Sequence, residues 1–195
     1  MNRAFSLGGL VASIILIAFG IGAIVIGASG RSDVKQQIEQ EQITGSEDMS
    51  PEGIRAGIEE ADLDVEAPSC DVADERIDTG SEAKCFAEYL RIHALESTGG
   101  RVYAEMGQFL TEDGEETSNP EEAAKDPETG RPVPNAARNT WVTATALSTA
   151  LNTSYFAEQV GLFSIVMGVA LLLTGIGFLV LTLGARKAAP GARKE

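Results

Sequence analysis

Two stretches without a charged residue constrain this chain more than any other feature. The first covers residues 4–30 and the second covers residues 159–185. Each exceeds the roughly 20 residues that a helix needs to cross the hydrocarbon core of a bilayer. Hydrocarbon offers peptide groups no hydrogen-bond partner, so a segment inside it must satisfy its own backbone as a helix. The sequence therefore predicts two transmembrane helices, one within residues 1–30 and one over residues 159–185.

A cleaved secretory signal is the alternative interpretation of the first stretch. Arg3 precedes it, and the small residues Ala28, Ser29 and Gly30 resemble a cleavage site. The apolar core of a signal peptide is usually about 7–15 residues long, which is much shorter than this stretch. The length therefore favours a retained span over a signal.

The distribution of charge predicts the orientation of the spans. Residues 31–158 contain 28 of the 29 acidic residues and 10 of the 15 basic residues, a net charge of −18. The basic residues that remain lie outside the two spans, at Arg3, Arg186, Lys187, Arg193 and Lys194. Because positive charge near a span favours the cytoplasmic side, we expect both termini to be cytoplasmic and residues 31–158 to be extracytoplasmic. The last segment, residues 186–195, is then a basic cytoplasmic tail.

The two cysteines, Cys70 and Cys85, both lie in the acidic segment. An even pair in an oxidising compartment favours a disulfide over a metal site or a reactive thiol. In the chain-entropy treatment, closing a loop of this length stabilises a fold by about 3 kcal/mol. One histidine and two cysteines are one ligand short of a structural zinc site, so no metal is predicted.

Several helices are predicted in the acidic segment. Residues 31–44 continue the first span as a polar stalk, and Ser50-Pro51 starts a short helix that contains Ile54 and Ile58. Thr79 and Glu82 have the spacing of a capping box for a helix that Gly99-Gly100 ends. A second short helix is predicted over residues 101–110.

The rest of the segment divides into a loop and a long helix. Residues 111–135 contain many acidic residues, four prolines and few large apolar residues, which predicts a mobile or loosely held loop. No helix breaker lies between Pro134 and Gly161. The pattern therefore predicts one helix that packs on the outer domain through Trp141, Ala144, Leu151 and Tyr155 and then enters the bilayer.

The candidate chemistry is sparse. His93 is the only histidine, and with Tyr89 and Tyr103 it could line a small pocket. Without a second histidine, a free cysteine or a nucleophile motif, packing on a helix is favoured over catalysis. The acidic loop lacks the alternating pattern of a calcium loop, and the negative charge disfavours nucleic acid as a partner. No enzyme activity and no cofactor are predicted.

Small residues recur every seven positions in both spans. Ser13, Gly20 and Gly27 form one such set, and Gly161, Gly168 and Gly175 form the other, with Ser164 beside them. Small residues let helix backbones approach closely, which is how helices gain packing energy in lipid. These faces are predicted to pack on each other, on another copy or on a larger partner. The alternative is that glycine is simply frequent in membrane helices.

The segments CFAEYLRIHALESTGGRVYAEMG and ARNTWVTATALSTALNTSYFAEQVGLFSIVMGVALLLTGIGF resemble a group of actinobacterial two-span membrane proteins of unknown function. Some members of that group carry an inherited label as aromatic ring-opening dioxygenases. Such iron chemistry usually needs two histidines and a carboxylate, which a single histidine cannot supply. The resemblance therefore implies a membrane location and no catalytic residue.

The predicted fold class is an all-α membrane protein whose two transmembrane helices flank a small, mostly helical extracytoplasmic domain. The predicted role is a non-enzymatic accessory or scaffolding subunit of the cell envelope, with membrane lipid and either a second copy or a larger membrane protein as partners. The alternative role is an extracytoplasmic module that senses or binds a small ligand.

Overall fold

The structure, a computed structural model, describes residues 3–188 and gives side chains for residues 6–185. Four α-helices dominate this part of the chain. They are α1 (Arg3–Glu41), α2 (Arg55–Glu60), α3 (Gly80–Thr98) and α4 (Ala136–Ala188). A 3₁₀ turn (Tyr103–Glu105) and two short strands, β1 (Phe109–Leu110) and β2 (Glu116–Thr117), lie between α3 and α4. The fold is therefore mostly helical, with two long apolar helices.

The chain divides into two compact units. One contains the residues up to Val34 and those from Phe156 onward, and we call it the hairpin unit. The other runs from Lys35 to Tyr155, and we call it the middle unit. The predicted borders of the acidic domain, residues 31 and 158, lie within four residues of this division. The basic side chains behind the predicted orientation lie outside the described residues, as do residues 189–195 of the tail.

Both long helices are continuous, as the absence of breakers predicts. α1 passes from the first uncharged stretch into the polar stalk and ends at Glu41, and α4 runs for 53 residues from Ala136. Each is long and apolar enough to cross a membrane. A helix of 53 residues is about 80 Å long at 1.5 Å per residue, so α4 has enough length for a span and for the middle unit.

The middle unit is built around α3. The predicted capping box is present at its start, where the Thr79 hydroxyl accepts a hydrogen bond from the Glu82 amide and Glu82 accepts one from the Thr79 amide. Gly99 ends the helix with a φ of 64°, a left-handed conformation that glycine adopts without a steric penalty. The buried face of α3 includes Tyr89 and Ile92.

Two segments that precede α3 in the chain are joined by backbone hydrogen bonds. The Gly45 amide donates to the Glu75 carbonyl over 2.9 Å, and the Ile77 amide donates to the Ile43 carbonyl over 3.0 Å. Gly45 lies so close to the Val72 carbonyl that a Cβ at this position would overlap it. Ile54, Val72 and Ile77 are almost fully buried here. A second apolar cluster surrounds Trp141 of α4 and includes Leu95 and Met106.

The prediction of a second short helix over residues 101–110 is wrong. Only the 3₁₀ turn forms there, and Phe109 pairs with Thr117 in an antiparallel β-hairpin. Gly107 accounts for the change, because it has low helix propensity and its backbone lies against that of Thr117. The short helix after Ser50-Pro51 also starts later than predicted, at Arg55, since residues 51–54 form turns.

The predicted loose loop over residues 111–135 has a defined backbone path. The Leu110 amide donates to the Val133 carbonyl over 3.0 Å, and the Ala124 amide donates to the Leu110 carbonyl over 2.9 Å. Asp126 accepts a hydrogen bond from the Thr129 amide over 2.7 Å. Polar side chains therefore satisfy backbone groups in turns that have few apolar side chains to bury. The mobility of this loop in solution stays a prediction.

Candidate functional site

The small residues of the two apolar helices face each other in the hairpin unit. A Cβ added to Gly27 would lie 2.5 Å from the Gly161 carbonyl oxygen, and one added to Gly20 would lie 2.7 Å from the Gly168 carbonyl oxygen. These distances are shorter than ordinary van der Waals contact, so neither position has room for a side chain. The helices are antiparallel, and their backbones touch along what we call the glycine seam.

The seam continues toward the far end of the hairpin. A Cβ on Gly175 would lie 3.0 Å from the Ser13 carbonyl oxygen. Ser13 is fully buried, and its hydroxyl donates to the Leu10 carbonyl over 2.8 Å, which satisfies the polar group within its own helix. Ser164 is half-buried, and its hydroxyl donates to the Val160 carbonyl of the preceding turn. Ser13 therefore belongs to the seam, while the position of Ser164 beside it stays a prediction.

The outer surface of the hairpin unit is covered by large apolar side chains. Phe19 is 69% exposed, Ile26 is 72% exposed and Leu181 is 70% exposed. Only 11% of the most apolar window of each long helix is buried. In water such an arrangement would leave the hydrophobic surface outside and the glycine backbone inside, which is the reverse of a soluble helical core.

An ion pair lies at one end of the seam. Arg31 Nη2 is 2.9 Å from Glu158 Oε1, and these residues border the two uncharged stretches. The Arg31 side chain also packs over Gly161, where an added Cβ would lie 2.6 Å from its Cγ. The absence of a side chain at Gly161 thus makes room for the arginine.

The predicted disulfide is present between Cys70 and Cys85, with 6.1 Å between the Cα atoms. It ties the loop before α3 to the buried side of that helix. Tyr89, one turn further along α3, is fully buried, and its hydroxyl donates to the Cys70 carbonyl over 2.5 Å. Burial, followed by nearby carboxylates, raises the pKa of Tyr89, which keeps the hydroxyl protonated as a donor.

The three residues of the predicted small pocket have separate partners. Tyr89 is buried against Cys70, whereas His93 Nε2 lies 2.9 Å from Asp48 Oδ2. Tyr103 is 46% exposed and stacks with Arg138, whose Cζ lies 3.8 Å from the ring centroid. None of the three lines either groove of the middle unit.

Two shallow grooves lie on the middle unit. One, of about 340 Å³, lies between the end of α1 and α4, with Ile38 and Leu151 among its lining residues. The other, of about 260 Å³, lies between α3 and α4 and combines small apolar residues with polar ones. We call the second the α3–α4 groove; its lining residues are Ala87, Glu88, Arg91, Ala94, Trp141, Ala144, Thr145, Ser148, Thr149 and Asn152. Sequence reasoning missed it, because its walls come from helices about 50 residues apart in the chain.

Within the described residues, no three histidine, cysteine, aspartate or glutamate side chains are grouped as metal ligands. No protein-family model matches the chain, and no curated protein or solved structure matches it. The resemblance to actinobacterial two-span proteins therefore stays a prediction.

Proposed function

We propose that this chain is an integral membrane protein that crosses the cell membrane twice. Its hairpin unit spans the bilayer, both termini are cytoplasmic, and residues 31–158 form an acidic, disulfide-linked domain on the outer side. Its role is that of a non-enzymatic accessory or scaffolding subunit of the cell envelope, which acts through helix packing and contacts of the outer domain.

The exposure of large apolar side chains around the glycine seam is the observation that carries this proposal. In lipid the hydrophobic effect does not drive helices together, so close backbone contact between small residues stabilises a pair, and large apolar residues face the acyl chains. The hairpin unit has this arrangement, with Gly20 and Gly168 inside and Phe19 outside. The disulfide supports an extracytoplasmic middle unit, since disulfides persist in oxidising compartments.

A scaffolding role is favoured over catalysis by the partners of the polar groups. His93 pairs with Asp48, Tyr89 with a backbone carbonyl and Lys35 with Asp78, so each of these groups has a partner within the fold. A catalytic site instead brings an acid, a base or a nucleophile together in one pocket. We therefore propose that the protein acts through its helix faces and its outer surface.

Reporter fusions test the topology. Alkaline phosphatase is active only outside the cytoplasm, and a green fluorescent protein exported in unfolded form is fluorescent only inside. Fused after Glu195, the fluorescent reporter should be bright and the phosphatase inactive, with the reverse for fusions at the exposed turn glycine Gly114. An active phosphatase after Glu195 would show that the proposed topology is wrong. The chain should also remain in the membrane fraction after an alkaline carbonate wash.

Purification in mild detergent tests the scaffolding role. Photo-crosslinking residues placed at Phe19 and Phe163, both exposed on the hairpin unit, should give discrete crosslinked species whose members mass spectrometry identifies. The same probe at the buried Phe86, which lines neither groove, is the matched control and should give none. Recovery of a monomer alone, without crosslinked species from either exposed position, would count against a scaffold.

A further inference from the structure

An arginine without an anionic partner lies in the α3–α4 groove. Arg91 is exposed on α3, and its Cζ lies 5.1 Å from the centroid of the Trp141 ring on α4. Within residues 6–185 its side chain forms no ion pair and no hydrogen bond. Stacking on tryptophan holds a guanidinium in place and leaves the N–H groups at its edge free to donate.

The rest of the groove is apolar at its floor and polar at one wall. Ala87, Ala94 and Ala144 make a floor with little side-chain volume, which leaves space of about 260 Å³ beside Trp141. Asn152 contributes an amide to the wall on α4. Ligand pockets for drug-sized molecules are usually about 300–1,000 Å³, so this groove suits one or two side chains of a larger partner.

We propose that the α3–α4 groove binds a peptide segment of a partner protein that carries one carboxylate next to an apolar side chain. Arg91 donates two parallel hydrogen bonds to the carboxylate, the fork geometry in which a guanidinium binds it best. The apolar side chain lies on the alanine floor against Trp141. This inference rests on the proposed scaffolding function, because it names the chemistry by which the outer domain contacts a partner.

The charges around the groove favour a single carboxylate over a polyanion. Glu88 also lines the groove, and the surrounding residues 31–158 have a net charge of −18. A chain of phosphates would be repelled by this field, whereas one carboxylate can approach a guanidinium at short range. A neutral ligand would leave Arg91 without the anion that its free N–H groups can bind.

The single tryptophan of the chain lies in the groove and reports binding directly. The full-length protein in detergent micelles is titrated with acetyl-Ala-Ala-Leu that has a free terminal carboxylate, and separately with the same peptide as its neutral amide. We expect a saturable change in Trp141 fluorescence with the carboxylate peptide only. The variant R91Q should weaken binding by about tenfold or more, the loss typical of a hydrogen bond to a charged group.

Two further variants make the test specific. R91K keeps the charge but loses the planar fork, so its affinity should lie between those of the unchanged protein and R91Q. R55Q removes an exposed arginine from α2, outside the groove, and should bind like the unchanged protein. Circular dichroism and the oxidised state of Cys70 and Cys85 establish that each variant is folded.

Three results would overturn the proposal. They are equal binding of the acid and amide peptides, saturable binding of polyphosphate in preference to the peptide, and no saturable change with either peptide. A failure here leaves the proposed function standing if the chain still remains in washed membranes with the predicted topology. Conversely, peptide binding by a chain that leaves the membrane fraction would preserve the groove and reject the transmembrane proposal.

Discussion

Gly20 and Gly168 approach each other so closely that a Cβ added to either would lie 2.7 Å from the carbonyl oxygen of the other. The contact is reciprocal, so neither helix can move away to accommodate a side chain without opening the pair. Gly27 and Gly161 repeat this relationship two turns along the helices. A seven-residue repeat of small residues thereby fixes the register of the hairpin unit.

Substitution of a seam glycine is expected to open the hairpin. Gly20→Leu or Gly168→Leu should lower the free energy of separating the helices by about 1–3 kcal/mol, as overpacking does in cores. Dyes on cysteines introduced at the exposed residues Ile26 and Phe163 would report separation by energy transfer during an SDS titration. The native cysteines stay in their disulfide and are not labelled.

Gly22 and Gly177 supply the matched controls for this experiment. An added Cβ at either position meets nothing within 4 Å, so Gly22→Leu and Gly177→Leu should leave the titration midpoint within experimental error. An equal loss at seam and control positions would mean that the change in apolar volume, and not the close contact, sets the stability of the pair.

The hydrogen bond from Tyr89 to the Cys70 carbonyl is expected to stabilise the middle unit. Tyr89→Phe removes the donor and leaves a carbonyl without its partner beside a fully buried ring. We expect a loss of about 1–3 kcal/mol in the free energy of unfolding, measured with urea in detergent micelles. Tyr155→Phe, on a half-buried ring that stacks with Lys84, is the control and should change it by less than about 0.5 kcal/mol.

The parts of the fold that sequence alone predicts depend on local patterns. The seven-residue spacing of Gly20 and Gly27 and the Thr79–Glu82 capping box are each visible within about two helical turns of sequence, and each uncharged stretch is one unbroken run. The disulfide was predictable because two cysteines allow only one pairing. In these cases the chemistry of neighbouring residues decides the structure.

The parts that sequence reasoning missed depend on contacts that no regular spacing in the sequence marks. The β-hairpin needs Phe109 to pair with Thr117, and Asn135 closes this region by donating from its amide to the Gly107 carbonyl over 3.0 Å. Asn135 also caps α4, a signal present in the sequence directly after Pro134. The stacking of Arg91 on Trp141 spans 50 residues and leaves no local pattern.

Asp48 is expected to make the stability of the middle unit depend on pH. A 2.6 Å hydrogen bond from the Ser46 hydroxyl, followed by the nearby His93, lowers the pKa of Asp48 from its ordinary value of 3.8. The unfolded chain then binds the proton more tightly than the folded chain. The contribution of Asp48 to the free energy of unfolding is therefore fully present above its ordinary pKa. It is lost as the pH falls through the lower pKa of the folded chain.

Asp48→Asn tests this dependence. Because the carboxylate is about half exposed, we expect a loss of less than about 1 kcal/mol at neutral pH, and this difference should disappear in acid below the folded pKa. Urea unfolding of both proteins across a pH series measures the difference. Glu112→Gln, on the exposed loop, controls for the loss of one negative charge. A difference that stays constant with pH would exclude ionisation of Asp48 as its cause.

The ion pair between Arg31 and Glu158 is expected to stabilise one end of the glycine seam. The side chain of Glu158 is only 15% exposed, whereas that of Arg31 is 42% exposed, so solvent screens the pair in part. Arg31→Gln and Glu158→Gln should each lower the free energy of helix separation, and the double variant should lose less than the sum by about 0.5–1 kcal/mol. The energy-transfer titration used for the seam measures all four proteins.

High salt should reduce the coupling between Arg31 and Glu158, because ions screen exposed charges. Strictly additive losses at low salt would mean that the two side chains act through separate contacts, such as the packing of Arg31 over Gly161.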